Sequence, residues 1–172
     1  GNSKVTVSAL QAVARIVPRL GDAVSDAGAC NVIVPSLCNA LASANSAVRQ
    51  ATEEALAAVR ANADGAAIFP IMASVATFGS PRVKAPILEV LAHMVRAPDK
   101  GADAPKAQVL IKHVLPLSMR VLDDAKAEVK AANGKLIAAL QGVLGNALVD
   151  EATKLNSANY HKLRTSFPDI VQ

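Results

Sequence analysis

The apolar residues of this chain fall into helical stripes that come in pairs. The clearest pair occupies Phe69–Val95. Ile68, Phe69, Ile71, Met72 and Val75 lead into the turn Gly79-Ser80-Pro81-Arg82-Val83-Lys84, and Ile87, Leu88, Val90, Leu91, Met94 and Val95 leave it. Apolar residues at steps of three and four are the mark of a helix that buries one face. Ser80 before Pro81 predicts a helix start, with Ser as N-cap and Pro at the first helical position.

The same arrangement can be read three times. Pro35, Pro70 and Pro116 each stand thirteen residues before a valine followed by a cation: Val48-Arg49, Val83-Lys84 and Val129-Lys130. Seven, eight and eleven residues after each valine come Ala55, Leu56 and Val59; then Val90, Leu91 and Met94; then Leu136, Ile137 and Leu140. The offsets inside the units are constant. The prolines are 35 and then 46 residues apart, so insertions fall between units. A fixed internal period of this kind predicts repeated helix pairs. Each pair would be joined by a short turn, at Ser43–Ala47, Gly79–Arg82 or Asp123–Glu128, and Asp123 or Asp124 would cap the last second helix.

Residues 2–20 place Val5, Ala9, Val13, Ile16 and Val17 at helical spacing. Val5 fits the phase of the repeated valine, with Ala12, Val13 and Ile16 in step. This predicts the second helix of a further unit, stopped at Gly21, with its first helix missing. Asp22–Gly28 reads as a loop. Ala97–Pro105 reads as an exposed polar connection, rich in Pro and Gly. A closing helix is expected at about Ala147–Arg164, carrying Leu148, Leu155, Tyr160 and Leu163. The fold expected is all-α, an α-solenoid of about three full helix-turn-helix repeats. Its units are 2–20 (second helix only), 28–61, 64–97, 104–145 and a cap at 146–168, forming one domain over 1–172 or the C-terminal portion of one. One helix pair cannot bury its apolar face alone, whereas stacked pairs bury a continuous core and align their turns along one edge.

Composition restricts the chemistry. Hydrophobic residues are 52% of the 172 and aromatics only 2%, so the core must be built from Ala, Val, Leu and Ile. The net charge of +4 and pI of about 9.3 permit an acidic partner. A nucleic-acid signature is absent, since no Lys/Arg block or aromatic interleaving occurs. No apolar run approaches the roughly 20 residues that span a bilayer. Gly1-Asn2-Ser3-Lys4 does not read as a signal peptide. Cys30 and Cys38 lie on one face of one segment, separated by roughly 12 Å of helix rise. Buried free thiols, and a reducing compartment, are expected.

Little here suggests catalysis. His93, His113 and His161 lack metal-ligand spacing. Glu53-Glu54 and Asp123-Asp124 are adjacent, and neighbours on a helix point apart, so neither forms an acid/base pair. Cys30 has no activating neighbour in sequence. We therefore expect no enzyme and no cofactor or metal. The remaining constellation is the set of cations at the turns: Arg49, Arg82, Lys84, Lys126 and Lys130, with Lys135 one turn further on. Arg49 and Lys130 have a structural alternative, pairing with an acid on a neighbouring repeat. Arg82 is off the repeated position, and with Lys84 beside it is the better functional candidate. Such a ridge suits an acidic protein surface.

Pro-x12-Val-[Arg/Lys] with its three apolar followers resembles the HEAT repeat. The order of units is similar to the later part of a TOG domain, the tubulin-binding module of microtubule polymerases, with CLASP-type TOG domains second. Ser3-Lys4-Val5 with Ala9-Leu10 resembles the second helix of the third repeat. Ile33-Val34-Pro35-Ser36-Leu37 through Arg49 resembles the fourth, Ser80-Pro81-Arg82-Val83-Lys84 the fifth, and Val114-Leu115-Pro116 through Gly145 the sixth. Leu155-Asn156 with Tyr160-His161-Lys162-Leu163 resembles the closing helix. The resemblance implies that turns between paired helices bind the αβ-tubulin heterodimer. Ser80, Arg82 and Lys84 would be at the contact, with Asn45, Arg49, Lys126 and Lys130 on adjoining turns. It also implies a monomeric module of a larger protein in the cytoplasm, on microtubules, spindle or centrosome. Two features depart from the family: the chain has no Trp for the first-repeat loop, and Ser43-Ala44-Asn45-Ser46-Ala47 is not lysine-rich. The alternative is a repeat scaffold for a non-tubulin partner.

Overall fold

The computed structural model describes residues 2–25, 27–96 and 105–169, and among these the chain is helices joined by turns, with no strand. Five helices come first: α1 (Ser3–Leu20), α2 (Ala27–Ala40), α3 (Ser46–Asn62), α4 (Gly65–Phe78) and α5 (Lys84–Arg96). A short 3-10 turn, Gly21–Ser25, lies between α1 and α2. Then α6 (Ala107–Val109), a π turn (Leu110–Val114) and α7 (Leu115–Arg120) follow without a break in helical backbone. Pro116 accounts for the widened turn: it has no N–H to offer the Lys112 carbonyl, and its ring crowds that oxygen. The chain closes with α8 (Ala127–Leu144), α9 (Ala147–Leu155) and α10 (Ala158–Ser166).

The helices pack in two sets. In one, α1 lies along α3 and α5 along α8. In the other, α2 lies along α4, which meets the π turn. Contacts in three helix pairs show that these neighbours run in the same sense. The starts of α1 and α3 share a depression lined by Ser3, Lys4, Val7, Ser8, Asn45 and Ala47. The Asp64 N–H, at the head of α4, donates to Ser25 Oγ just before α2 (3.0 Å). Lys84 Nζ at the head of α5 meets Asp124 Oδ2 just before α8 (3.1 Å), and Lys135 Nζ meets Glu89 Oε1 along the helices (2.7 Å). Between α3 and α5 there is no extended contact. A groove of about 580 Å³ separates them, with Arg49, Glu53 and Ala57 on one wall and Pro86, Glu89 and Val90 on the other.

The positions that recur in the sequence pattern lie in the core. Val48, Val83 and Val129 are buried, and so are all of their apolar followers named above except Val90, which is partly buried. As composition required, the core is aliphatic, Phe69 being its one buried aromatic among the described residues. Ser118 and Asn133 are a buried polar couple joining α7 to α8. Ser118 Oγ donates to Asn133 Oδ1 (2.8 Å) and Asn133 Nδ2 to the Ser118 carbonyl (3.0 Å), so neither is left unsatisfied.

Four expectations need correction. On α1 the buried residues are Leu10 and Val17, with Val7, Val13 and Ala14 partly covered; Val5 and Ile16 are 64% and 52% exposed. The cause is that α1 packs along one helix, α3, so it can bury one stripe. Ser80 and Pro81 lie in the turn and not in α5. Pro86 has no N–H for the Arg82 carbonyl, so the regular ladder begins one residue later, with Ile87 N–H donating to the Val83 carbonyl (3.1 Å). Asp124 does not occupy the N-cap of α8, which is Lys126; it accepts from the Lys126 N–H (3.0 Å) and so closes the turn before it. The closing helix is two helices, broken at Asn156, whose Oδ1 accepts from the Ala158 N–H (2.9 Å); Leu155 and Tyr160 are exposed there. The expected connection Ala97–Pro105 falls, up to residue 104, outside the described residues.

Candidate functional site

The turn between α2 and α3 is closed by its own polar side chains. Asn45 Oδ1 accepts from the N–H groups of Ala47 (2.9 Å) and Val48 (3.3 Å), capping α3. Arg49 Nη1 donates back to the carbonyls of Ser43 (2.7 Å) and Ala44 (3.1 Å). Asn45 and Arg49 therefore shape their turn. Arg49 has a structural role as one alternative foresaw, but its partners are carbonyls of its own turn and not an acid of a neighbouring repeat.

The turn between α4 and α5 is built differently. A Cβ on Gly79 would collide with the Val75 carbonyl oxygen, so the chain can leave α4 this way only with glycine. Ser80 Oγ accepts from the Arg82 N–H (3.4 Å), and the Val83 N–H donates to the Ser80 carbonyl (3.0 Å). These bonds hold Arg82 at the outside of the turn. Its side chain is exposed and has no hydrogen-bond or ion-pair partner among the described residues. Lys84 is otherwise: it is half-buried and paired with Asp124 across to the next turn. The sequence grouped Lys84 with Arg82 as a functional cation, whereas the structure uses it to tie two turns together.

At the third turn Asp124 is held ionised. The Lys126 N–H, and then the Lys84 ammonium, push its carboxyl below the ordinary value of 3.8. Asp123 is matched by Lys162 of α10. Lys126 is 3.9 Å from Glu128 with both side chains exposed, a pair of little energetic weight. Lys130 is exposed and has no such partner among the described residues. Both acids of this turn are thus engaged by lysines. Arg82, Lys126 and Lys130 are left presenting positive charge on the bridged second and third turns.

Two residues at this edge escaped the sequence reading. Phe78, the last residue of α4, is 79% exposed, and Arg120 at the end of α7 lies over its ring, 5.9 Å from the centroid. Spacing gave no signal, since Phe78 follows Val75 by three and Ile71 by seven residues and so continues their apolar stripe. An exposed phenyl beside Arg120 gives the edge an apolar contact as well as charge.

Elsewhere, Cys30 and Cys38 are buried and unbridged. Cys30 Sγ donates to the Val24 carbonyl (2.9 Å), and burial pushes the Cys38 thiol up to about 12. Cys38 is therefore a poor nucleophile. Among the described residues no three His, Cys, Asp or Glu side chains gather as a metal site, and no helix is long and apolar enough to cross a membrane. In comparisons with known proteins, no family model and no curated protein matches the chain.

Proposed function

We propose that the chain is a HEAT-type helical-repeat module of the TOG kind, which binds the αβ-tubulin heterodimer through its second and third turns. The observation that carries this reading is Arg82, an exposed, unpartnered cation on a turn held by a required glycine and two backbone hydrogen bonds. Support for the stacking comes from three helix pairs that run in the same sense and from the buried repeated valines. The contact centres on Ser80 and Arg82, with Phe78 and Arg120 beside them and Lys126 and Lys130 flanking. Lys84, Arg49 and Asn45 shape the turns. An edge of this kind recognises an acidic, partly apolar protein face, with charge governing encounter and register.

Co-elution of the chain with unpolymerised tubulin in size exclusion tests this. The wild-type chain is expected to shift with tubulin, and Arg82→Glu to elute alone. A wild-type chain that never shifts would overturn the assignment.

A second reading has its own observation. Arg49 and Lys84, two of the three repeated cations, are engaged within the chain. That favours a scaffold whose edge meets a different acidic protein. Stoichiometric recovery of another partner, lost with Arg82→Glu and without tubulin, would support it.

A further inference from the structure

The turn between α4 and α5 offers a hydroxyl to solvent. Ser80, Pro81 and Arg82 are all exposed and lie outside both helices. Ser80-Pro81 is the only place in the 172 residues where a Ser or Thr precedes a Pro. Proline there steers Ser80 towards extended backbone and leaves no N–H on the following residue. An extended acceptor followed by a ring without an N–H is what a proline-directed protein kinase reads. Ser80 is also lightly held. Its Oγ accepts from the Arg82 N–H (3.4 Å) and its carbonyl from the Val83 N–H (3.0 Å), and neither bond uses the hydroxyl proton.

The surroundings decide what a phosphate on Ser80 would meet. The Arg82 N–H already points at Oγ, and the Arg82 guanidinium has no hydrogen-bond or ion-pair partner among the described residues. Lys84 is committed to Asp124 and Lys162 to Asp123, so the acids of the neighbouring turn are already engaged. A phosphoserine carries about −1.5 to −2 charge at pH 7 and three acceptor oxygens, which a guanidinium can take in pairs. Its place just before the N-terminal end of α5 favours the added negative charge.

We propose that Ser80 is the acceptor site of a proline-directed protein kinase, and that its phosphate captures the Arg82 guanidinium. The donor is magnesium-bound ATP. Ser80 Oγ bonds to the γ-phosphorus as the bond from that phosphorus to the ADP oxygen breaks; the hydroxyl proton passes to the kinase's catalytic carboxylate, and ADP leaves. The consequence rests on the reading of this edge as a docking surface. An outward cation at the centre of the second turn is replaced by net negative charge, which switches the edge off for an acidic partner.

The test starts from the whole folded chain, a free peptide of residues 76–86, a purified proline-directed kinase and magnesium ATP. The folded chain is expected to take phosphate on Ser80 at no less than about a tenth of the peptide's rate, because only the turn must adapt. Ser80→Ala should abolish transfer. In a phosphorus-31 NMR titration, the second phosphate pKa, about 6 for a free phosphoserine, should be lower in the folded wild type than in phosphorylated Arg82→Ala. A folded chain that stays unmodified while the peptide reacts would overturn the proposal. So would a phosphate that titrates alike with and without Arg82. Against unpolymerised tubulin, the phosphorylated chain should bind about tenfold or more weakly than the unmodified one. Equal, saturable binding by both would overturn the switch. Absence of binding by the unmodified chain would count against the tubulin reading alone, since transfer and the Arg82-dependent shift are read without tubulin.

Discussion

Arg49, Arg82, Lys84 and Lys130 are alike in a sequence and different in the fold. Arg49 closes its own turn, Lys84 bridges to Asp124, and Arg82 and Lys130 point outward unpaired. The bridge makes a definite claim about stability. Because the folded state holds the Asp124 carboxyl below 3.8, it binds fewer protons than the unfolded chain as pH falls through that range. The bridge's contribution is therefore complete above about pH 4 and is lost as pH drops towards the lower folded-state value. A double-mutant cycle with Lys84→Met and Asp124→Asn, read by urea unfolding at pH 7, should give a coupling of about 0.5–1 kcal/mol, and the coupling should shrink as the pH is taken below 3.8. Arg82→Glu should leave the unfolding midpoint unchanged, because the side chain holds nothing in place. Which cation is consumed was not legible in the sequence: Lys84 and Asp124 are 40 residues apart and meet only once α5 and α8 pack.

Individual elements show where periodicity is a sufficient guide. In the three units read from Pro-x12-Val, the repeated valine and all but one of its apolar followers are buried. The pattern failed on α1, where Val5 repeats the phase but faces outward. Stripe and burial part company when a helix has a neighbour on one side only. Thermal melts should separate the cases: Val129→Ala is expected to destabilise by about 2 kcal/mol, and Val5→Ala by less than about 0.5 kcal/mol. Helix starts and stops were legible where one residue sets them, as at Gly145 with its φ of 54°. They were misread where two signals compete, as at Ser80-Pro81, overridden by Pro86 five residues on. Gly79 is a further element-scale check. Gly79→Ala must displace the end of α4 or the turn, and should destabilise by about 1–3 kcal/mol with the helix content otherwise kept.

For the whole molecule, the all-helical class and the aliphatic core followed from composition and period. The open groove between α3 and α5 did not, because relative placement of units depends on the connections between them and not on the period within them. The consequence is a molecule with several kinds of surface. The second and third turns are bridged, and they carry exposed cations and a phenyl. On α1, Val5 and Ile16 are exposed. The central claim concerns the turns, and an equilibrium titration of labelled, unpolymerised αβ-tubulin with the wild-type chain, Arg82→Glu and Val5→Glu tests it most directly. The account expects saturable one-to-one binding by the wild type, a loss of about tenfold or more for Arg82→Glu, and no change for Val5→Glu. Absence of wild-type binding, or Arg82→Glu binding as tightly as the wild type, would contradict it.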